Sequence, residues 1–254
     1  MARYQVILVY DGSKFAGSQR QVGGSIGPLG LSKPRTVQGV LEISLRSLGW
    51  TGKSILMAGR TDTGVHALGQ AANFRTENEL DLYKFQYQLN SILPNDISIT
   101  KMEKVADNFH ARFDAKSRSY LYLFSHQKSP FYFKYSHYYP PVTKIDFSKL
   151  NEISKVLLGD NDFTSFSRKN PDVDDKTCNI LEIRWHKGRD ISTFYITANR
   201  FMHGMVRTII GTLLYTFEQN LAGNYLLEIL NKKNREEANE SVPAKGLYLF
   251  KVRY

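Results

Sequence analysis

Ala58-Gly59-Arg60-Thr61-Asp62-Thr63-Gly64-Val65-His66-Ala67-Leu68-Gly69-Gln70 runs between two short stretches, Ser54–Ala58 and Gln70–Phe74, that read as strands. Glycines at 59, 64 and 69 permit backbone geometry that other residues resist, so the stretch is a tight loop carrying one acid. Arg60 stands two residues before Asp62 and shares its face if the segment is extended. A neighbouring guanidinium favours the carboxylate form, and an ionised, positioned carboxylate is what a nucleophile requires. The plain alternative is an aspartate that closes a turn beside a surface arginine. Asp62-Thr63-Gly64 also spells the D-T-G of aspartic proteases, but those enzymes need two such acids sharing a proton, and this chain has one. A cation beside the pair would oppose that sharing.

Outward from the loop, β and α patterns alternate. Tyr4–Tyr10 is β-branched and aromatic and stops at Asp11-Gly12, a strand entering a turn. Residues 22–35 hold four glycines and two prolines and have no helical or strand period, so they read as a loop. Thr36 caps a helix with Val37, Val40, Leu41, Leu45 and Leu48 on one face and Gly49 at its end. Leu82, Phe85, Leu89 and Ile92 mark a second helix stopped before Pro94, and Ile97–Val105 reads as a strand. A second half restarts at Phe109. Its strand around Tyr120–Phe124 is apolar on both faces, as in the centre of a sheet. Phe147–Leu158 reads as a helix, Leu181–His186 and Thr193–Ala198 as strands, Val206–Phe217 as an amphipathic helix, and Leu247–Val252 as a last strand. The expected division is an N-terminal α/β half, 1–107, carrying the aspartate loop, and a C-terminal α/β half, 108–254.

The chain has 254 residues, 42% hydrophobic and 23% charged, an ordinary globular composition that excludes disordered and fibrous classes. Its net charge of +10 points to a polyanionic partner. That surplus lies mainly after residue 107, where 22 basic residues face 15 acidic ones. Cys178 is the only cysteine, so neither an internal disulfide framework nor a cysteine-based zinc site can form. No spacing among the six histidines suggests a metal site. The sequence shows no apolar run long enough to span a membrane and no signal-peptide pattern, so a soluble cytoplasmic protein is expected.

Two further stretches carry chemistry. In Asn108–Phe124, Arg112, Lys116 and Arg118 interleave with Phe109, Phe113, Tyr120 and Tyr122, a pattern in which cations hold phosphates while a ring stacks on a base. Phe113 and Phe124 read better as core, whereas Tyr120 divides evenly between core and binding. In Asn199–Leu214, Arg207 lies about 100° round the helix from Val206, at the edge of the apolar stripe. There it pairs with a buried acid or snorkels to solvent. His203 reads as structural.

The Ala58–Gln70 stretch resembles the active-site motif of the TruA-type tRNA pseudouridine synthases. So do Tyr10-Asp11-Gly12-Ser13-Lys14-Phe15-x-Gly17-x-Gln19, Phe109–Phe113, Asp162–Phe166, Phe201-Met202-His203-x-Met205-Val206-Arg207 and Gly246-Leu247-Tyr248-Leu249, in that family's order and over nearly the whole chain. The resemblance implies a pseudouridine synthase fold: two α/β halves forming an extended, mostly antiparallel sheet with a central active-site cleft. It implies isomerisation of uridine to pseudouridine at positions 38, 39 and 40 of the tRNA anticodon arm, by a homodimer and without cofactor or metal. By motif, Asp62 takes the nucleophile's place, Tyr120 that of the tyrosine stacking on the target base, and Arg207 that of the aspartate's basic partner. Leu247 lines the base pocket, and Arg60 sits at the motif arginine. Two departures, Ser18 where the family has an aromatic and the long stretch at 22–35, fall in the region expected to touch RNA. A nucleic-acid-binding module without activity would keep the basic surface but has no need of Asp62 together with Arg207, so their joint presence favours an enzyme.

Overall fold

A computed structural model describes residues 1–20, 34–169 and 174–254. The stretch read as a loop at 22–35 lies, apart from Pro34 and Arg35, outside the described residues. The described residues form ten strands and five α-helices, a mixed α/β arrangement whose strand pairs are mostly antiparallel. They divide into two compact units, Met1–Ala115 with Leu249–Tyr254, and Lys116–Tyr248.

In the first unit, β1 (Ala2–Tyr10) is central, pairing antiparallel with β3 (His66–Thr76) on one side and β4 (Ile97–Val105) on the other. Tyr4, Val6 and Leu8 are buried at alternate positions, which fixes the register because a slip of one residue would turn them to the other face. The helix α1 (Val37–Ser47) begins where Thr36 Oγ1 accepts from Gly39 N at 3.2 Å. Val37, Leu41 and Leu45 are fully buried as expected, but Val40 and Leu48 are only half-buried. The stripe turns instead through Gln38 and Glu42, both buried.

Glu42 explains a second difference. Its carboxylate accepts from Ser54 Oγ at 2.8 Å and from Ile55 N at 3.2 Å, so these residues bond to a side chain rather than to a neighbouring strand. The strand read at Ser54–Ala58 therefore shrinks to β2 (Leu56–Met57), beside β3. The helix α2 (Leu82–Ile92), capped by Asp81, buries Phe85 and Leu89 and packs on β4, while Leu93 rather than Ile92 closes its apolar face.

In the second unit, β5 (Ser117–Ser125) pairs antiparallel with β9 (Ile191–Ala198), which pairs with β8 (Thr177–His186), and β8 with β7 (Gly159–Asp162). A short β6 (His137–Tyr138) runs parallel to the end of β5. Tyr122 and Phe124 of β5 are fully buried, and Phe124 stacks on Trp185 with ring centroids 5.8 Å apart. The helix read at Phe147–Leu158 is α3 (Phe147–Ser154) followed by a 3-10 turn at Lys155–Leu157.

The helix α4 (Met205–Glu218) keeps the predicted apolar face, and α5 (Asn224–Lys232), which the sequence analysis did not assign, buries Leu226, Ile229 and Leu230. Its three apolar anchors in nine residues give little period, and Gly223 offers no capping side chain. The last strand, β10 (Leu247–Arg253), starts in the second unit and finishes in the first, where it lies next to β3 in the strand order.

Candidate active site

The loop carrying Asp62 is held by residues of the Tyr10–Gln19 block. Leaving β1, the chain makes a 3-10 turn at Gly12–Lys14, with Asp11 Oδ1 accepting from Ser13 N at 2.9 Å. Beyond it, Gly17 takes φ +98°, and a Cβ there would stand 2.8 Å from Thr61 O, so only glycine lets this segment approach the aspartate loop. Ser18 N donates to Thr61 O at 3.1 Å, and Thr61 N donates back to Ser18 Oγ at 2.8 Å. Thr61 Oγ1 and Tyr10 Oη share a bond of 2.9 Å. Burial pushes the Tyr10 phenol up to about 12, so it keeps its proton at any working pH. Gln70 Nε2 donates to Gly59 O at 2.9 Å, closing the loop from its other end.

Asp62 itself is half-buried. Its carbonyl accepts from Val65 N at 3.1 Å, which makes Asp62 the first residue of a tight turn, Asp62–Val65. Arg60 is exposed. His66 is 1% exposed, and its Nδ1 lies 3.1 Å from Gly12 N and 3.3 Å from Asp11 Oδ1, which ties the loop to the turn after β1. Ser18 was expected among the residues touching RNA. It is fully buried, because its backbone and hydroxyl both turn inward to grip Thr61.

The other candidates belong to the second unit or lie just before it. Tyr120, on β5, is 8% exposed and meets Phe201 edge-on with ring centroids 5.1 Å apart. Arg118, two residues earlier, donates from Nη1 to Asn199 O at 2.9 Å. Arg207, on the first turn of α4, is half-buried at the edge of the apolar face, as its helical position predicts. Its Nε donates to Val242 O at 2.7 Å while its own carbonyl accepts from Val242 N at 3.2 Å, a reciprocal grip that aims the guanidinium. Tyr122 donates to Pro243 O at 2.8 Å, and burial raises its phenol far above the usual range although the nearby Arg207 charge pulls the other way. Leu247, the first residue of β10, is 5% exposed.

Arg112 is exposed, with its guanidinium 5.6 Å from the Phe113 ring. Phe113 corrects a reading: taken as core, it is 74% exposed and lies against His110, ring centroids 4.3 Å apart. It precedes β5, so the inward-outward alternation of that strand does not reach it.

Sequence reasoning passed over a second set of exposed rings, Phe131 and Phe133, with Lys245 Nζ 4.1 Å from the Phe133 centroid. The run Phe131-Tyr132-Phe133-Lys134-Tyr135, four aromatics around one lysine, was the available signal. Among the described residues, no group of three or more His, Cys, Asp or Glu is placed to hold a metal, and no helix is long and apolar enough to cross a membrane.

The sequence profile of a family described as tRNA pseudouridine synthase matches residues 7–114 and 153–254. A tRNA pseudouridine synthase A of Bacillus licheniformis is 37% identical over 254 residues, covering 99% of each chain. The protein of that name from Parabacteroides distasonis is 39% identical over 255 residues, covering 100% of this chain and 96% of its own. The one from Bacillus subtilis is 36% identical over 254 residues, covering 99% of each.

Proposed function

The chain belongs to the tRNA pseudouridine synthase family, and on that premise we propose that it is an isomerase converting uridine to pseudouridine at positions 38, 39 and 40 of the tRNA anticodon stem-loop, with Asp62 as nucleophile. The observation that carries the assignment to Asp62 is its setting. It opens a turn, and the residue before it, Thr61, has its amide, carbonyl and hydroxyl all engaged. The backbone leading into Asp62 is thus fixed before substrate arrives, and preorganisation of this kind favours catalysis at a fixed point.

The reaction breaks the C1′–N1 bond, turns the base, and joins C5 to C1′. The proton lost from C5 is balanced by one gained at N1, so the product is an isomer and neither oxidant nor reductant enters. Asp62 acts by attack on the sugar or the base, or by assisting a glycal route. A base stacked in the stem must be flipped out at a cost of a few kcal/mol. Tyr120 stacks on the flipped uracil, Leu247 lines its pocket, and Arg207 serves as the basic partner of the aspartate. Arg60, Arg112 and Arg118 hold phosphates. The working form is a cytoplasmic homodimer in which one tRNA touches both subunits.

The deciding experiment incubates the purified protein with an unmodified tRNA transcript carrying uridine at 38, 39 and 40, then maps pseudouridine by position. Conversion at those positions is the expected result, and an unmodified arm overturns the reading.

A further inference from the structure

Ser18 joins three pieces of the first unit through four hydrogen bonds. Its amide donates to Thr61 O at 3.1 Å, its hydroxyl accepts from Thr61 N at 2.8 Å, and the same hydroxyl donates to Gly59 O at 3.5 Å. Its carbonyl accepts from Gln38 N at 2.9 Å, in the first turn of α1. The residue is fully buried, and so is most of Thr61, at 7% exposed. In this chain the Ser18 hydroxyl is the acceptor that satisfies the Thr61 amide, while the Gly59 carbonyl also accepts from Gln70 Nε2 at 2.9 Å.

We propose that Ser18 is a positioning residue for the aspartate. It fastens Thr61, and through the adjoining peptide Asp62, to the rigid start of α1. Planar peptides transmit displacement along the chain, so freeing Thr61 moves the carboxylate next to it. Misplacement of a reacting group by about 1 Å is enough to cost about 100-fold in rate. The inference rests on the reading of Asp62 as the nucleophile. It assigns to Ser18 a part in the chemical step and none in holding RNA, because no atom of its side chain is open to a ligand.

The test measures Ser18→Ala, Ser18→Thr, Ser18→Cys and Asp62→Asn in the intact protein. Three quantities are followed: the single-turnover rate of pseudouridine formation at saturating tRNA, the tRNA Kd, and the melting temperature, with rates taken well below the melting transition. Ser18→Ala is expected to lower the rate about 10- to 100-fold with Kd unchanged within twofold. Ser18→Thr restores the hydroxyl and the rate. Ser18→Cys, of nearly serine size and a weak donor and acceptor, restores part of it should the threonine methyl prove too large for the site. A Ser18→Ala enzyme of wild-type rate overturns the inference, as does one whose rate falls only in proportion to a weakened Kd. An inactive Asp62→Asn beside a fully active Ser18→Ala removes this inference alone, whereas an active Asp62→Asn removes the nucleophile reading beneath it.

Discussion

Asp62→Asn exchanges a carboxylate for an amide of the same shape. Turnover is therefore expected to vanish while tRNA affinity stays within a few-fold, and single-turnover kinetics beside a binding titration check it. Tyr120 poses a finer question, since it is 8% exposed and already has one ring neighbour in Phe201. If it stacks on the flipped uracil, Tyr120→Phe binds tRNA as wild type and Tyr120→Ala loses about 1–3 kcal/mol of binding. If its hydroxyl also moves the C5 proton, the phenylalanine variant binds normally but turns over slowly. An unfolded alanine variant beside a fully active phenylalanine variant would make Tyr120 a core residue. These positions stand out in the sequence because acid, phenol and guanidinium are residue types that carry chemistry. Ser18 was visible only as a departure from a pattern, since nothing in one serine tells whether its hydroxyl faces water or a peptide. Phe113 misled because a strand's alternation was extended across its boundary at Ser117.

Gly211 lies inside α4, where replacing glycine by alanine ordinarily strengthens a helix by about 1 kcal/mol. Here a Cβ would stand 1.9 Å from Glu240 O, and that oxygen belongs to backbone, which cannot swing aside. Gly211→Ala is expected to destabilise the protein by at least about 2 kcal/mol, read as a fall in melting temperature, and a rise would show that the 240–242 segment shifts freely. Among the elements, those with a sustained period were legible: α1 with its cap Thr36, α2 by its apolar stripe, and the strands β1 and β4. Elements set by distant partners were not. The strand at 54–58 was cut short by a carboxylate twelve residues upstream of Ser54, and α5 forms from three anchors that find their neighbours only in the folded unit.

Across the molecule, the net charge of +10 makes several phosphate contacts the expectation. Affinity for tRNA should fall by more than about tenfold between low and physiological salt, in a filter-binding or fluorescence titration, whereas a flat response would remove nucleic acid as the partner. The α/β class and the order of most elements were legible at this scale, β6, β7 and α5 excepted. What was not legible is that the first unit takes its closing residues, Leu249–Tyr254, from the far end of the chain. Tyr254 Oη donates to Ala111 O at 2.8 Å, and its ring meets Phe109 at 4.9 Å. A ribosome delivers residues in order, so the aspartate-bearing unit waits, one strand short, until residues 249–254 have been made. A chain cut just before Leu249 would keep Asp62, Tyr120 and Arg207 and yet leave the unit that holds Asp62 unfinished.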